Sequence, residues 1–221
     1  MSSDELDRFL ANARGSAATA KILSLEELRE RKAESQAQWG LAALRGRLVE
    51  LSARGASATL TAAIEIVAEA QEQSEPVAWI ALTAGTFYPP DVADSGIDLA
   101  ALVVIRAPDA TACARAAERC LRSGAFGLVI LDLADGKADL SMQIQGRLVT
   151  LAQTHDAAVV CLTEKTQDTA SLGSLISLRA EAFRLRDKPA EFDVQLRVLK
   201  DKRRGPGFTQ RLKRRGPPGL T

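Results

Sequence analysis

The sequence predicts an α/β domain: a mostly parallel sheet flanked by helices, with an antiparallel hairpin at its C-terminal end. Three observations lead there. From Gly46 onward, short apolar runs alternate with stretches of helical periodicity, the pattern of parallel strands joined by crossover helices. One run, Leu128-Val129-Ile130-Leu131, is apolar without interruption, as a strand covered on both faces requires. Near the end, strict alternation on either side of Asp187-Lys188-Pro189-Ala190 reads as two strands and a turn. The chain has 221 residues, 46% of them hydrophobic and 26% charged, enough for one such domain with a real core.

Two amphipathic helices open the chain. Leu6, Phe9, Leu10 and Ala13 recur at helical spacing in the first. The second starts at Ser24-Leu25-Glu26-Glu27, a capping box in which Ser and Glu satisfy exposed backbone donors reciprocally. Gly15 and the Ser/Ala/Thr stretch after it form a flexible joint between them, and residues 1–38 are read as a separate helical segment. The core then runs in order. Arg47 to Leu51 is a strand, and Leu60, Ala63, Ile64, Val67 and Ala68 mark the buried face of a helix. Val77 to Leu82 and Ala101 to Ile105 are strands, and Thr111 to Leu121 is a helix after a Pro-Asp start. Leu128 to Leu131 is a strand, Met142 to His155 a helix, and Ala157 to Leu162 a strand. The hairpin pairs a run through Phe183 and Leu185 with one through Phe192, Val194, Leu196 and Val198. Residues 39–202 are read as the core and 203–221, rich in Gly, Pro and basic residues, as a mobile tail.

Composition excludes several classes. There is no apolar run near 18 residues, so no transmembrane helix is expected. The acidic start MSSDELDRFL has no apolar signal core, which points to a cytoplasmic protein. Cys113, Cys120 and Cys161, odd in number and set in apolar stretches, read as reduced core thiols. The single histidine, His155, with no CxxC motif, argues against zinc, and no nucleophile elbow accompanies it. The net charge of +1 hides an asymmetry: from Arg197 to the end there are nine basic residues and one acid, Asp201.

Ligands of open parallel sheets sit at the carboxyl ends of the strands. The first such end is the turn Ser52-Ala53-Arg54-Gly55-Ala56-Ser57-Ala58-Thr59, where a phosphate loop belongs. A working loop, GxxxxGK[ST], wraps phosphates in glycine amides, neutralises them with lysine and holds magnesium with Ser/Thr. Here only Gly55 remains, no lysine is present, and Arg54 lies on the wrong side to replace it. Alone, this is any strand-to-helix turn. The order of features adds to it, because the run Leu128 to Leu131 ends in Asp132, the arrangement in which an acid orients magnesium and its water.

On these residues the sequence resembles the RecA recombinase core over about residues 40 to 208. Gly46 to Leu51 resembles the strand leading into the family's phosphate loop, and Thr59-Leu60-Thr61 the helix after it. Ser95-Gly96-Ile97-Asp98-Leu99 resembles the segment after the catalytic glutamate, and Leu196 to Lys202 the lysine-bearing strand near the core's end. The resemblance implies that Thr83 stands where the catalytic glutamate would be; a hydroxyl has no pKa suited to a general base at neutral pH. Glu164 stands at the sensor glutamine, and Lys165 to Gly173 is a short version of the DNA-binding loop. The degenerate nucleotide site would thus comprise Gly55, Ser57, Thr59, Thr83, Asp132 and Glu164, and neither catalysis nor a cofactor is expected.

A degenerate RecA-like core with a Lys-Asp-Lys-Arg-Arg-Gly-Pro-Gly ending is similar to the ImuA family. The similarity implies an accessory protein of damage-induced translesion synthesis, with RecA and an ImuB-like polymerase subunit as partners and, through the latter, an error-prone polymerase. Lys200, Lys202, Arg203, Arg204, Arg211, Lys213, Arg214 and Arg215 would contact single-stranded DNA or a partner, with Phe208 stacking on a base; a solvated tail is the other reading. Leu6, Phe9 and Leu10 would dock on a partner or pack on their own core, and Trp79, Phe87 and Tyr88 would pack beside the vacated site. Two further functions stay open: a weak or partner-completed ATPase using Asp132 and Lys200/Lys202, and a cell-division inhibitor of SulA type.

Overall fold

The computed structural model describes residues 39–55, 57–85, 87–133, 139–188, 191–205 and 207–215, without the side chains of 186–188, 191, 212, 214 and 215. The two opening helices, with Leu6, Phe9 and Leu10, lie outside these residues.

Eight strands form one sheet: β1 Arg47–Ser52, β2 Val77–Leu82, β3 Leu102–Ala107, β4 Leu128–Asp132, β5 Ala158–Thr163, β6 Leu178–Lys188, β7 Glu191–Asp201 and β8 Thr209–Arg215. Their order is β3-β2-β4-β5-β1-β6-β7-β8. The first six are parallel, and β7 pairs antiparallel with both β6 and β8. The helices are α1 Leu41–Leu44, α2 Thr59–Glu72, α3 Ala110–Arg122 and α4 Met142–Thr154, with 3-10 turns at Pro89–Ser95 and Leu99–Ala101. Among the described residues no helix is long and apolar enough to cross a membrane.

Side chains alternate between the two faces of a strand, so the apolar strands feed two cores. On the α2 side, Val49, Leu51, Trp79, Ile130, Val160 and Leu162 pack with Ala63, Ile66 and Val67. On the α3 and α4 side, Leu48, Ile80, Val129, Leu131 and Val159 pack with Cys113, Ala117, Leu121 and Leu148. The central strands β1 and β5 are buried along their whole length, whereas β3, at the edge, is buried only at its two ends. Two helix starts carry side-chain caps: the Asp109 carboxylate accepts from the Ala112 amide, and the Ser141 hydroxyl from that of Ile144. The three cysteines are free and buried. Burial raises all three thiols; for Cys113 it is joined by the Asp109 and Asp132 charges, and the value is pushed up to about 11.

Three readings need correction. Residues 209–215, assigned to a mobile tail, form β8, because the outer edge of β7 carries backbone donors and acceptors that a partner strand satisfies. Basic side chains on that new edge discourage further pairing. Leu60, expected in the buried face of α2, lies in its first turn and is 45% exposed, while Ala62 and Ile66 take its place in the core. Tyr88 is 60% exposed and does not pack. Its neighbours do: the Trp79 and Phe87 rings stack with centroids 4.0 Å apart and planes 15° from parallel.

Candidate functional site

The edge formed by the carboxyl ends of the parallel strands gathers the residues singled out for a nucleotide site. Thr83 follows β2, Asp132 ends β4, Glu164 follows β5 and the Ser52–Thr59 turn follows β1; these four strands are adjacent in that order. At about 4.8 Å per strand, the row spans about 14 Å.

The turn after β1 is closed on itself. Gly55 has φ of +81°, the left-handed region that glycine enters without strain. The Ser57 amide donates back to the Gly55 carbonyl at 2.7 Å, and the Ala58 amide donates to the Ala182 carbonyl of β6 at 2.9 Å. Ser57 also forms an isolated antiparallel bridge with Phe183. The Ser57 hydroxyl lies 2.9 Å from that of Thr59 and accepts from the Thr59 amide. Amides that a phosphate loop would turn toward an anion are therefore engaged by protein carbonyls and a hydroxyl. With no lysine in the turn, it offers neither the concave row of donors nor the charge that phosphate binding requires.

Thr83 is exposed, and its hydroxyl and amide both donate to the Ala107 carbonyl, at 3.1 and 2.8 Å. This hydroxyl stitches β2 to the end of β3. Asp132 is half-buried, level in the sheet with Ala81 of β2 and Leu162 of β5. Glu164 is exposed. No group of three or more His, Cys, Asp or Glu able to hold a metal occurs among the described residues. A surface cleft of about 530 Å³ lies between α3 and α4, lined by Arg122, Gln143, Gly146, Arg147, Thr150 and Leu151, and takes none of the edge residues.

The basic residues divide into two groups at opposite ends of the sheet, with β8 running past the level of the carboxyl edge, where Thr209 is in line with Arg197, Glu181 and Ser52. Because β7 runs antiparallel to β6, Asp201 stands beside Leu178 at the start of β6, and Lys200 to Arg204 emerge at the opposite edge. There Asp201 forms an ion pair of 2.6 Å with Arg47, whose guanidinium also donates to the hydroxyl and carbonyl of Ser177. The Lys202 ammonium donates to the Ser174 carbonyl at 2.7 Å, and Arg203 donates to the carbonyls of Arg45 and Gly46. Burial, with the charge of Lys202, pushes the Lys200 ammonium below its ordinary value. Arg204 is exposed. The second group, Arg211, Lys213, Arg214 and Arg215, belongs to β8; the side chains of Arg211 and Lys213 are exposed. Phe208, expected to stack on a base, is half-buried against the α2-side core.

One feature of the site was not anticipated. Glu50, in the middle of β1, is fully buried; it accepts hydrogen bonds from two groups and faces two cations. Its oxygens lie 3.1 Å from the Lys165 ammonium, 2.9 Å from the Thr163 hydroxyl, 2.8 Å from the Leu172 amide and 3.8 Å from Arg179 Nε. Arg179 in turn donates to the carbonyls of Thr166 and Thr169. Beside it, Glu181 pairs with Arg197 at 2.7 Å, and Arg197 also donates to Gln167 Oε1. This network clamps the segment after β5 onto the sheet, beside α4, whose Gln145 accepts from the Leu175 amide. A signal existed: a charged residue inside Leu48-Val49-Glu50-Leu51 is out of place in a doubly covered strand unless paired. Its partners, over a hundred residues away in the chain, left no such mark.

No protein-family model matches this chain, and no curated protein does.

Proposed function

We propose that this chain is a non-catalytic RecA-like accessory protein of damage-induced, error-prone translesion synthesis, similar to ImuA. In this reading it is cytoplasmic and works by binding RecA and an ImuB-like polymerase subunit, with contact to DNA through its basic C-terminal residues. The observation that carries it is the closed turn after β1. The amides of Ser57 and Ala58 are held by Gly55 and Ala182, on a sheet whose strand ends still align Thr83, Asp132 and Glu164. A scaffold kept while its nucleotide chemistry is lost is what a recognition role requires. The clamped 164–172 segment, matching the RecA DNA-binding loop by resemblance, supports a fixed surface there. Calorimetry with purified RecA and with an ImuB-like subunit should show binding to at least one of them, and titration with Mg-ATP should show no uptake. Failure to bind either protein refutes the reading.

One observation favours a second reading, a partner-completed ATPase. Lys200 and Lys202 lie at the sheet edge opposite the chain's own Asp132, so they point away from its vacated site. The resemblance implies that matching lysines reach a neighbouring subunit's nucleotide. Turnover by RecA that changes on addition of this chain, and reverts with Lys202→Ala, would favour that reading over a purely binding role.

A further inference from the structure

We infer that the outer face of β6, β7 and β8 binds single-stranded nucleic acid. This extends the DNA element of the function proposed above and places it on a surface of its own.

The face is set by alternation. Ala180 and Ala182 of β6, and Val194, Leu196 and Val198 of β7, point into the α2-side core. Their neighbours Phe183, Leu185, Gln195 and Arg197 therefore lie on the other side. Pairing adds β8 in register: Thr209 beside Arg197, Arg211 beside Gln195 and Lys213 beside Asp193. Phe183 is in turn paired with Gln195. The middle row thus reads Phe183, Gln195, Arg211: a ring, an amide and a guanidinium, about 10 Å from end to end.

Among the described residues, little covers this row. Helices α3 and α4 pack on β1 to β5. The 164–177 segment reaches Arg179 and, through Gln167, Arg197. Beyond it Phe183 is half-buried, Leu185 is 38% exposed, and Arg211 and Lys213 are exposed. Glu181 is held by Arg197, and Asp193 stands across from Lys213, so Arg211 is the cation that carries the argument.

Among the described side chains of this face, Arg197, Arg211 and Lys213 stand with Glu181 and Asp193, so its attraction for a phosphate backbone rests on Arg211. The shape selects the single strand. A flat three-stranded face cannot enter the major groove as a helix or two-stranded ribbon does, but it can receive an unstacked base on an aromatic ring. Stacking of this kind tolerates any sequence.

The test is fluorescence anisotropy with the full chain and a labelled mixed-sequence DNA strand of about 15 nucleotides, within the footprint of such platforms. Phe183→Ala should weaken binding by about 5- to 150-fold, the loss of one stacked base. Arg211→Ala should lower the slope of log affinity against log salt by about 0.7, one phosphate contact on a single strand. Arg211→Glu, on an exposed edge, should bind more weakly still, and it keeps the test informative if Phe183→Ala does not fold. Arg119→Glu makes the same charge change on the exposed surface of α3 and should bind as the unaltered chain does. No binding by the unaltered chain at low salt overturns the inference. So does equal loss in Arg119→Glu and Arg211→Glu, or a Phe183→Ala loss that is the same for duplex. RecA and ImuB-like binding by these variants should be unchanged. The two readings thus fail separately.

Discussion

Removing the Glu50 carboxylate should destabilise the protein more than any single surface change, and should release the segment after β5 first. Glu50→Ala leaves Lys165, 8% exposed, and Arg179, 4% exposed, without their counter-charge. At 3.1 Å and an effective dielectric of 20, the gross attraction to Lys165 is about 5 kcal/mol, and that to Arg179 at 3.8 Å is about 4 kcal/mol. Desolvation of the three groups offsets most of this, so the pairs add little net stability. Breaking them is different, since the desolvation remains and the attraction does not. The expected cost is about 3–5 kcal/mol. Urea unfolding followed by circular dichroism measures that loss, and hydrogen exchange at the Leu172 amide reports the local release. Lys165→Met should cost much less in a Glu50→Met background than alone, because it then removes an orphaned charge. A Glu50→Ala loss below about 1 kcal/mol, the range of exposed pairs, would refute the reasoning. So would unchanged exchange at Leu172.

Three further outcomes are expected. Burial acts to raise the Asp201 pKa, but hydrogen bonds from Arg47 and the Arg203 amide, with the Arg47 charge, outweigh it and hold the carboxyl below its ordinary value. A depressed folded pKa stabilises above the unfolded pKa, near 3.9, and that stability is lost as pH falls through the folded value; the gap in urea midpoint between the protein and Asp201→Asn should therefore narrow toward acid pH, and widening would contradict it. Gly55→Ala meets no atom within 4 Å but puts a side chain at φ +81°, so a loss of about 1–2 kcal/mol from backbone strain alone should appear in the unfolding midpoint. At pH 8, a Cys113 thiol pushed up to about 11 is roughly one part in a thousand thiolate, so labelling with a disulfide reagent should follow unfolding, and a fast native-state phase would show an accessible thiol.

The regular elements were legible because local pattern decides them. Val77–Leu82 was read to the residue, β1, β4, β5, α3 and α4 were placed within one, and α2 was found with its end four residues beyond Ala68. Edges were harder. Leu60 satisfies helical periodicity, yet its burial depends on how far the sheet extends beside the first turn. Residues 209–215 have a disordered composition, and they fold because β7 presents an unpaired edge that no local window reveals. At the candidate site, the missing lysine after β1 was visible in the chain, as was the hydroxyl at Thr83 in place of an acid. That the turn is shut by Ala182, and that Thr83 is tied to Ala107, depended on contacts 124 and 24 positions away.

The clearest division lies in the charges. Residue types and their short-range periods are written along the chain, and they were enough for an α/β sheet with a turn unable to cradle phosphate. Which charges meet is a property of strand order and direction. The antiparallel β7 carries Lys200 and Lys202 to the edge opposite Asp132, and the adjacency of β5, β1 and β6 brings Lys165 and Arg179 onto Glu50. A buried charge offsets its desolvation only when its counter-charge and hydrogen-bond partners lie within a few ångströms. Its partners are therefore chosen when the sheet closes, not by spacing in the sequence.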